Sequence, residues 1–158
     1  MRVTGQATLH SPRTRVWATL MDPDALRHCL PGCQEFEQVA PQEWKVTMSV
    51  GISAIRGTYS GRVKISEPEP ETRYRLAVEG SGAGNRIRGE GTITLADSAA
   101  GPDGAVGAAG AAGETQITYE GDAHVQGPLA AVGQRLLPPA ARLLADQFFK
   151  CMAEQVQD

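Results

Sequence analysis

A chain of 158 residues and 16.7 kDa fits a single domain, long enough to bury a real core. Fifteen Lys+Arg against eighteen Asp+Glu leave a net charge of -3, so there is no basic excess for nucleic acid to neutralise. No run of about 18 apolar residues exists to span a bilayer, and Met1–Leu9 lacks the apolar core of a signal peptide. Three cysteines in such a chain read as reduced thiols, which makes the cytoplasm the expected compartment.

In chain order, Met1 to Leu9 offers a weak alternation in Val3, Ala7 and Leu9. Ser11-Pro12 then reads as an N-cap with proline at the first helical position, and Val16, Trp17 and Leu20 form the apolar stripe. Asp22-Pro23 repeats the start signal, and Pro31-Gly32 ends a second short helix containing Leu26, Cys29 and Leu30. Glu35 to Val39 is an ambiguous short segment.

Period-2 patterning follows. Trp44, Val46, Met48, Val50 and Ile52 alternate with Lys45, Thr47 and Ser49. Ile55, Tyr59, Val63 and Ile65 alternate with Arg56, Thr58, Arg62 and Lys64. Three more stretches follow the same rule: Tyr74, Leu76 and Val78; then Ile87, Ile93 and Leu95; then Ile117, Tyr119, Ala123 and Val125. Alternation of this kind belongs to antiparallel strands with one wet and one buried face. Gly80 to Asn85 is a hairpin turn; it leads into a strand, so it is no nucleotide loop. Ser98 to Gly113, with 7 Ala and 5 Gly in 16 residues, reads as a flexible insertion. A helical segment runs from about Pro128 to Gln155, broken or kinked at Pro138-Pro139. In it Ala141, Leu144, Phe148, Cys151 and Met152 face inward, while Arg142, Asp146, Lys150 and Glu154 face out.

The expected fold is α+β over residues 1–158: a curved antiparallel sheet of six to seven strands, two short helices after the first, and a long C-terminal helix over the sheet. This is the helix-grip arrangement. Gly5, Gly57, Gly61, Gly80, Gly89, Gly91 and Gly121 fall in phase with the buried residues and remove side-chain volume from that face. The same face carries no charged residue or histidine from Trp44 to Val125; its polar atoms are three tyrosine hydroxyls and an indole nitrogen. Such a wall suits a large apolar ligand with one or two hydrogen-bonding atoms. Trp44, Met48, Tyr59, Gly61, Tyr74, Tyr119, Gly121, Leu144 and Phe148 are its candidate lining, with Gly61→Leu or Gly121→Leu expected to fill it in a folded protein. No catalytic residue is assigned, because His10, His28 and His124 sit in no motif and inward carboxylates are absent. No metal is assigned either: His28, Cys29 and Cys33 lack a second ligand pair, and the two cysteines read as small hydrophobes.

Asp22-Pro23-Asp24-Ala25-Leu26 followed by Cys29-Leu30-Pro31-Gly32-Cys33 resembles the signature of the carbon monoxide dehydrogenase G-subunit family. Gly121 to Val125, Gly127 to Leu137 and Phe148-Phe149 are similar to the rest of that pattern. The wider superfamily includes polyketide cyclases, lipid-transfer domains and pollen-allergen-like proteins. The resemblance implies an accessory protein with no intrinsic cofactor, holding a quinone or other lipophilic molecule beside a molybdenum hydroxylase of the carbon monoxide dehydrogenase type. It also implies a place in the cytoplasm at the inner face of the membrane. Many members continue past the last helix into a membrane-binding segment. These residues, ending at Asp158, are expected to touch a membrane only peripherally. Two other readings share the fold: a cyclase- or aromatase-like enzyme with Tyr59, Tyr74 or Tyr119 as acid, and an interaction module with a closed core.

Overall fold

The computed structural model describes residues 1–52, 55–97, 113–133 and 135–156. Strand β1 (Arg2–Leu9) leads into helices α1 (Arg13–Leu20) and α2 (Pro23–Cys29). Six strands follow: β2 (Cys33–Ala40), β3 (Glu43–Val50), β4 (Gly57–Glu69), β5 (Arg73–Gly82), β6 (Asn85–Asp97) and β7 (Thr115–Gln126). A 3-10 turn at Pro128–Ala131 precedes helix α3 (Leu137–Gln155). The strands form one antiparallel sheet in the order β1-β7-β6-β5-β4-β3-β2, so the first strand pairs with the last. The α+β helix-grip reading therefore holds, and the ambiguous segment at 35–39 is the edge strand β2. The Ala/Gly-rich segment lies at 98–113, of which 98–112 are outside the described residues.

The alternation sets the faces as expected. Trp44, Val46, Ile65, Tyr74, Ile93, Leu95, Ile117 and Tyr119 are buried on the concave face, and the charged residues between them are exposed on the other. One end of this face is roofed by α1, whose Trp17 meets Tyr74 edge-on at 5.7 Å. Arg13 fixes that roof, donating to Asp97 at 2.9 Å and to the Glu71 carbonyl at 2.9 Å. We call this the helix end. At the opposite, open end, β5 and β6 join through a two-residue turn in which Ala83 and Gly84 both have positive φ, the conformation a tight hairpin needs.

Local signals at the helix starts differ from the sequence reading. Asp22 caps α2 as expected, accepting from the Asp24 amide at 3.0 Å. Ser11 caps nothing: its hydroxyl is buried without a protein partner, and its carbonyl accepts from the Thr115 hydroxyl at 2.7 Å. Pro138 and Pro139 do not kink a long helix. They lie in the first turn of α3, where amides have no intrahelical acceptor, so proline starts the helix instead of breaking it.

The cysteine expectation is corrected. Cys29 and Cys151 are joined in a disulfide that ties α2 to α3 across 122 residues, with Cα atoms 5.4 Å apart. Cys33 keeps a free thiol whose pKa is raised by burial.

Candidate functional site

Helix α3 packs along β1 and against α1 and α2. Phe149, Met152 and Val156 enter the core beside Leu9, Val16 and Leu20; Phe148 is half-buried on the flank of that cluster, and Leu144 is half-buried. The position of α3 is set at the open end. There Asn85 accepts from the Leu129 amide at 2.8 Å and donates to the carbonyls of Gly82 and Ala83, pinning the 3-10 turn to the β5–β6 hairpin.

Of the nine expected lining residues, Leu144 and Phe148 belong to α3 and seven lie along the concave face of the sheet. Tyr74 is 5% exposed beneath α1, and burial drives its phenol pKa far up; it is core. Tyr119 is 8% exposed, stacks on Phe149 at 5.6 Å and lies across Gly5, where any side chain would strike its ring. Trp44 is buried and stacks on the half-buried Phe36 at 5.8 Å. Toward the open end, Met48, Tyr59, Gly61 and Gly121 are half-buried, and the Tyr59 hydroxyl donates to the Ile55 carbonyl at 2.9 Å. Val78, Ile87, Ala123 and Val125 are half-buried on the same face. They belong with the site, and their phase in the strands was the signal for it.

Glycine on this face does more than leave space. A Cβ on Gly61 would sit 2.0 Å from the Glu79 carbonyl oxygen, and one on Gly121 would sit 2.6 Å from that of Glu90. The glycines let neighbouring strand backbones close in where the sheet coils. Gly61→Leu and Gly121→Leu would thus push against backbone, which corrects the expectation that they fill space in an unperturbed fold.

The polar chemistry is sparse. The inward positions on β3 to β7 are uncharged except Asp97 at the end of β6, which pairs with Arg13 of α1. Among the described residues, no three of His, Cys, Asp and Glu come together as a metal site. His28 and His124 are exposed, and His10 pairs with Glu114 at the surface. The trait that sets the site apart is one donor: the Trp44 indole nitrogen is buried and no protein atom accepts from it. The charged chemistry lies on the outer face, in a crevice of about 480 Å³ lined by Arg62, Lys64, Glu79, Arg88 and Glu90 among others.

A curved antiparallel sheet gripped by a C-terminal helix, with a largely uncharged concave face, defines the helix-grip fold. The chain is similar in fold to a START superfamily protein from Mycobacterium smegmatis, 13% identical with a TM-score of 0.67, covering 99% of this chain and 97% of that one. A protein from Chromobacterium violaceum is 21% identical with a TM-score of 0.65, over 99% and 98%. A conserved protein from Geobacillus kaustophilus is nearer, at 31% identity and a TM-score of 0.86 over 99% and 95%. No curated protein sequence matches the chain. The sequence model of the carbon monoxide dehydrogenase G-subunit, CoxG, matches residues 5–157, and the chain belongs to that family.

Proposed function

We propose that this protein is a non-enzymatic accessory carrier that binds a lipophilic molecule, a quinone by family resemblance, on the concave face. It works beside a molybdenum hydroxylase of the carbon monoxide dehydrogenase type. The observation that carries the reading is the contrast within one face: uncharged but for Asp97 at its rim, sealed at the helix end, half-buried on β4 to β7 at the open end. Leaving apolar surface half-exposed across several strands costs roughly 25 cal/mol for each Å² not buried, which a bound apolar molecule recovers. Family membership supports the same reading.

The tyrosines weigh against the cyclase-like alternative. Burial raises the pKa of Tyr59, Tyr74 and Tyr119, which makes each a weaker acid, and the Tyr59 proton is already given to a backbone carbonyl. No helix among the described residues is long and apolar enough to cross a membrane, and membrane contact in this proposal is peripheral. The cytoplasmic side of the membrane is part of the proposal. The Cys29–Cys151 bridge gives it a direct check, since cystines are rare in reducing compartments. Rapid alkylation of cells that contain the protein reads which state prevails.

The principal test is native mass spectrometry of gently purified protein, followed by solvent extraction. A stoichiometric isoprenoid quinone or lipid is expected. A clean ligand-free mass, with no thermal shift on adding quinones, overturns the reading.

A further inference from the structure

A native fold seldom keeps a buried hydrogen-bond donor unpaired, because doing so forfeits the hydration of that group. Among the described side chains only two buried polar atoms lack a partner, Ser11 Oγ and Trp44 Nε1. Ser11 lies off the sheet, between β1 and α1, and its hydroxyl proton can rotate. Trp44 differs on both counts. Its N–H is a fixed donor with no acceptor capacity, carried on a ring that points to the concave face and is 5% exposed. A phenylalanine would pack in the same apolar surroundings without that cost, so the N–H has no structural use there.

We infer that Trp44 Nε1 is the polar contact of the ligand site, donating to a neutral carbonyl or ether oxygen on an otherwise apolar molecule. This rests on the carrier reading and sharpens it into a ligand class. The inference follows from charge and count. A carboxylate or phosphate would need a cation; the inward positions of β3 to β7 hold none, and Arg142 of α3, in electrostatic range of Tyr119, is accompanied there by Asp146. A ligand hydroxyl accepts from the indole through its oxygen but leaves its own proton to find an acceptor on an apolar wall. A neutral acceptor satisfies the indole and leaves the rest of the ligand to the apolar wall. The nitrogen is covered in this state. Its same-face neighbours are the stacked Phe36 and the cross-strand partner Val63, both half-buried, so the acceptor reaches it when one of these side chains gives way.

Two probes of one skeleton separate the contact from general apolar binding: 9-fluorenone, which carries a ketone, and fluorene, which has a methylene in its place. In wild-type protein labelled with nitrogen-15, fluorenone should move the Trp44 indole N–H resonance downfield while fluorene does not. Trp17→Phe assigns the two indole signals. By equilibrium dialysis, Trp44→Phe should cost fluorenone about tenfold in affinity, the worth of one hydrogen bond to a buried donor, and fluorene less than about twofold. An unmoved Trp44 resonance with fluorenone bound, or equal losses for both probes, overturns the inference and leaves the carrier reading standing. If wild-type protein binds neither probe, the carrier reading falls and this inference with it. The resonance test uses the unaltered tryptophan and does not depend on how Trp44→Phe folds.

Discussion

The two ends of the concave face share strands β3 to β7 and differ in nearly everything else. At the helix end, Ile65, Tyr74, Ile93, Leu95 and Ile117 are at most 9% exposed, with Tyr74 beneath Trp17 of α1. At the open end β4 to β7 present Tyr59, Gly61, Val78, Ile87 and Val125, all half-buried, while Val46 and Val50 of β3 stay buried. Large side chains beneath a roof make a core; glycine and smaller residues without one leave a surface able to take a guest. The packing is thus tightest at the helix end, and the proposed binding surface lies at the other, in keeping with ligand sites coming from the less stable parts of a fold.

The comparison can be broken most forcefully through the disulfide. Cys151→Ser should lower stability by about 2–5 kcal/mol, because the bridge closes a loop spanning most of the chain. Thermal unfolding measures the loss, and thiol titration should find one free thiol, Cys33, in native protein and three after reduction. A titration giving three from the start would refute the bridge. Next in size, Ile117→Ala at the fully buried helix end should cost about 2–5 kcal/mol with little change in ligand affinity. Gly61→Ala should cost about 1–3 kcal/mol, since its Cβ meets the Glu79 carbonyl; equal stability to wild type would show that the strands can part freely.

Ala123→Leu reverses the pattern. Ala123 is half-buried and pairs with Gly89, so the larger side chain has room. Melting temperature should stay within a few degrees, while ligand binding at the open end falls at least tenfold. The smallest effect is electrostatic. The folded Tyr74 pKa lies above the ordinary tyrosine value near 10, so the unfolded chain loses that proton first. The stabilising preference for the protonated form is intact below pH 10 and is lost as pH rises above it. Denaturant midpoints from pH 9 to 11.5 should fall less steeply in Tyr74→Phe.

Much of this division could be read from the chain. Trp44 and Tyr74 belong to strands with one buried face, where an alternation admits a single phase, so the inward set is fixed before any coordinate. What alternation omits is depth. Tyr74 and Tyr59 occupy equivalent phases, yet one is sealed beneath Trp17 and the other is half-open, because α1 roofs only one end. Gly61 was legible as an interruption, but the approaching Glu79 carbonyl belongs to another strand and leaves no local mark. Cys29 and Cys151 carry still less signal, because linear spacing says nothing about two helices meeting across 122 residues. Pro138 and Pro139 pointed to a break for a different reason: the same ring that breaks a helix interior also suits its first turn.

The pairing of β1 with β7 carries a consequence for synthesis of the chain. Val3 aligns with Gly121 and Leu9 with Thr115, so the first strand made must wait for nearly the last. A nascent chain emerging from the ribosome holds β1 unpaired while more than a hundred residues follow it. Contacts this distant in sequence slow folding, and both edges of the growing sheet stay open to other chains in the interval. Faster translation through the segment after β6 would shorten that exposure without altering a single contact in the finished protein.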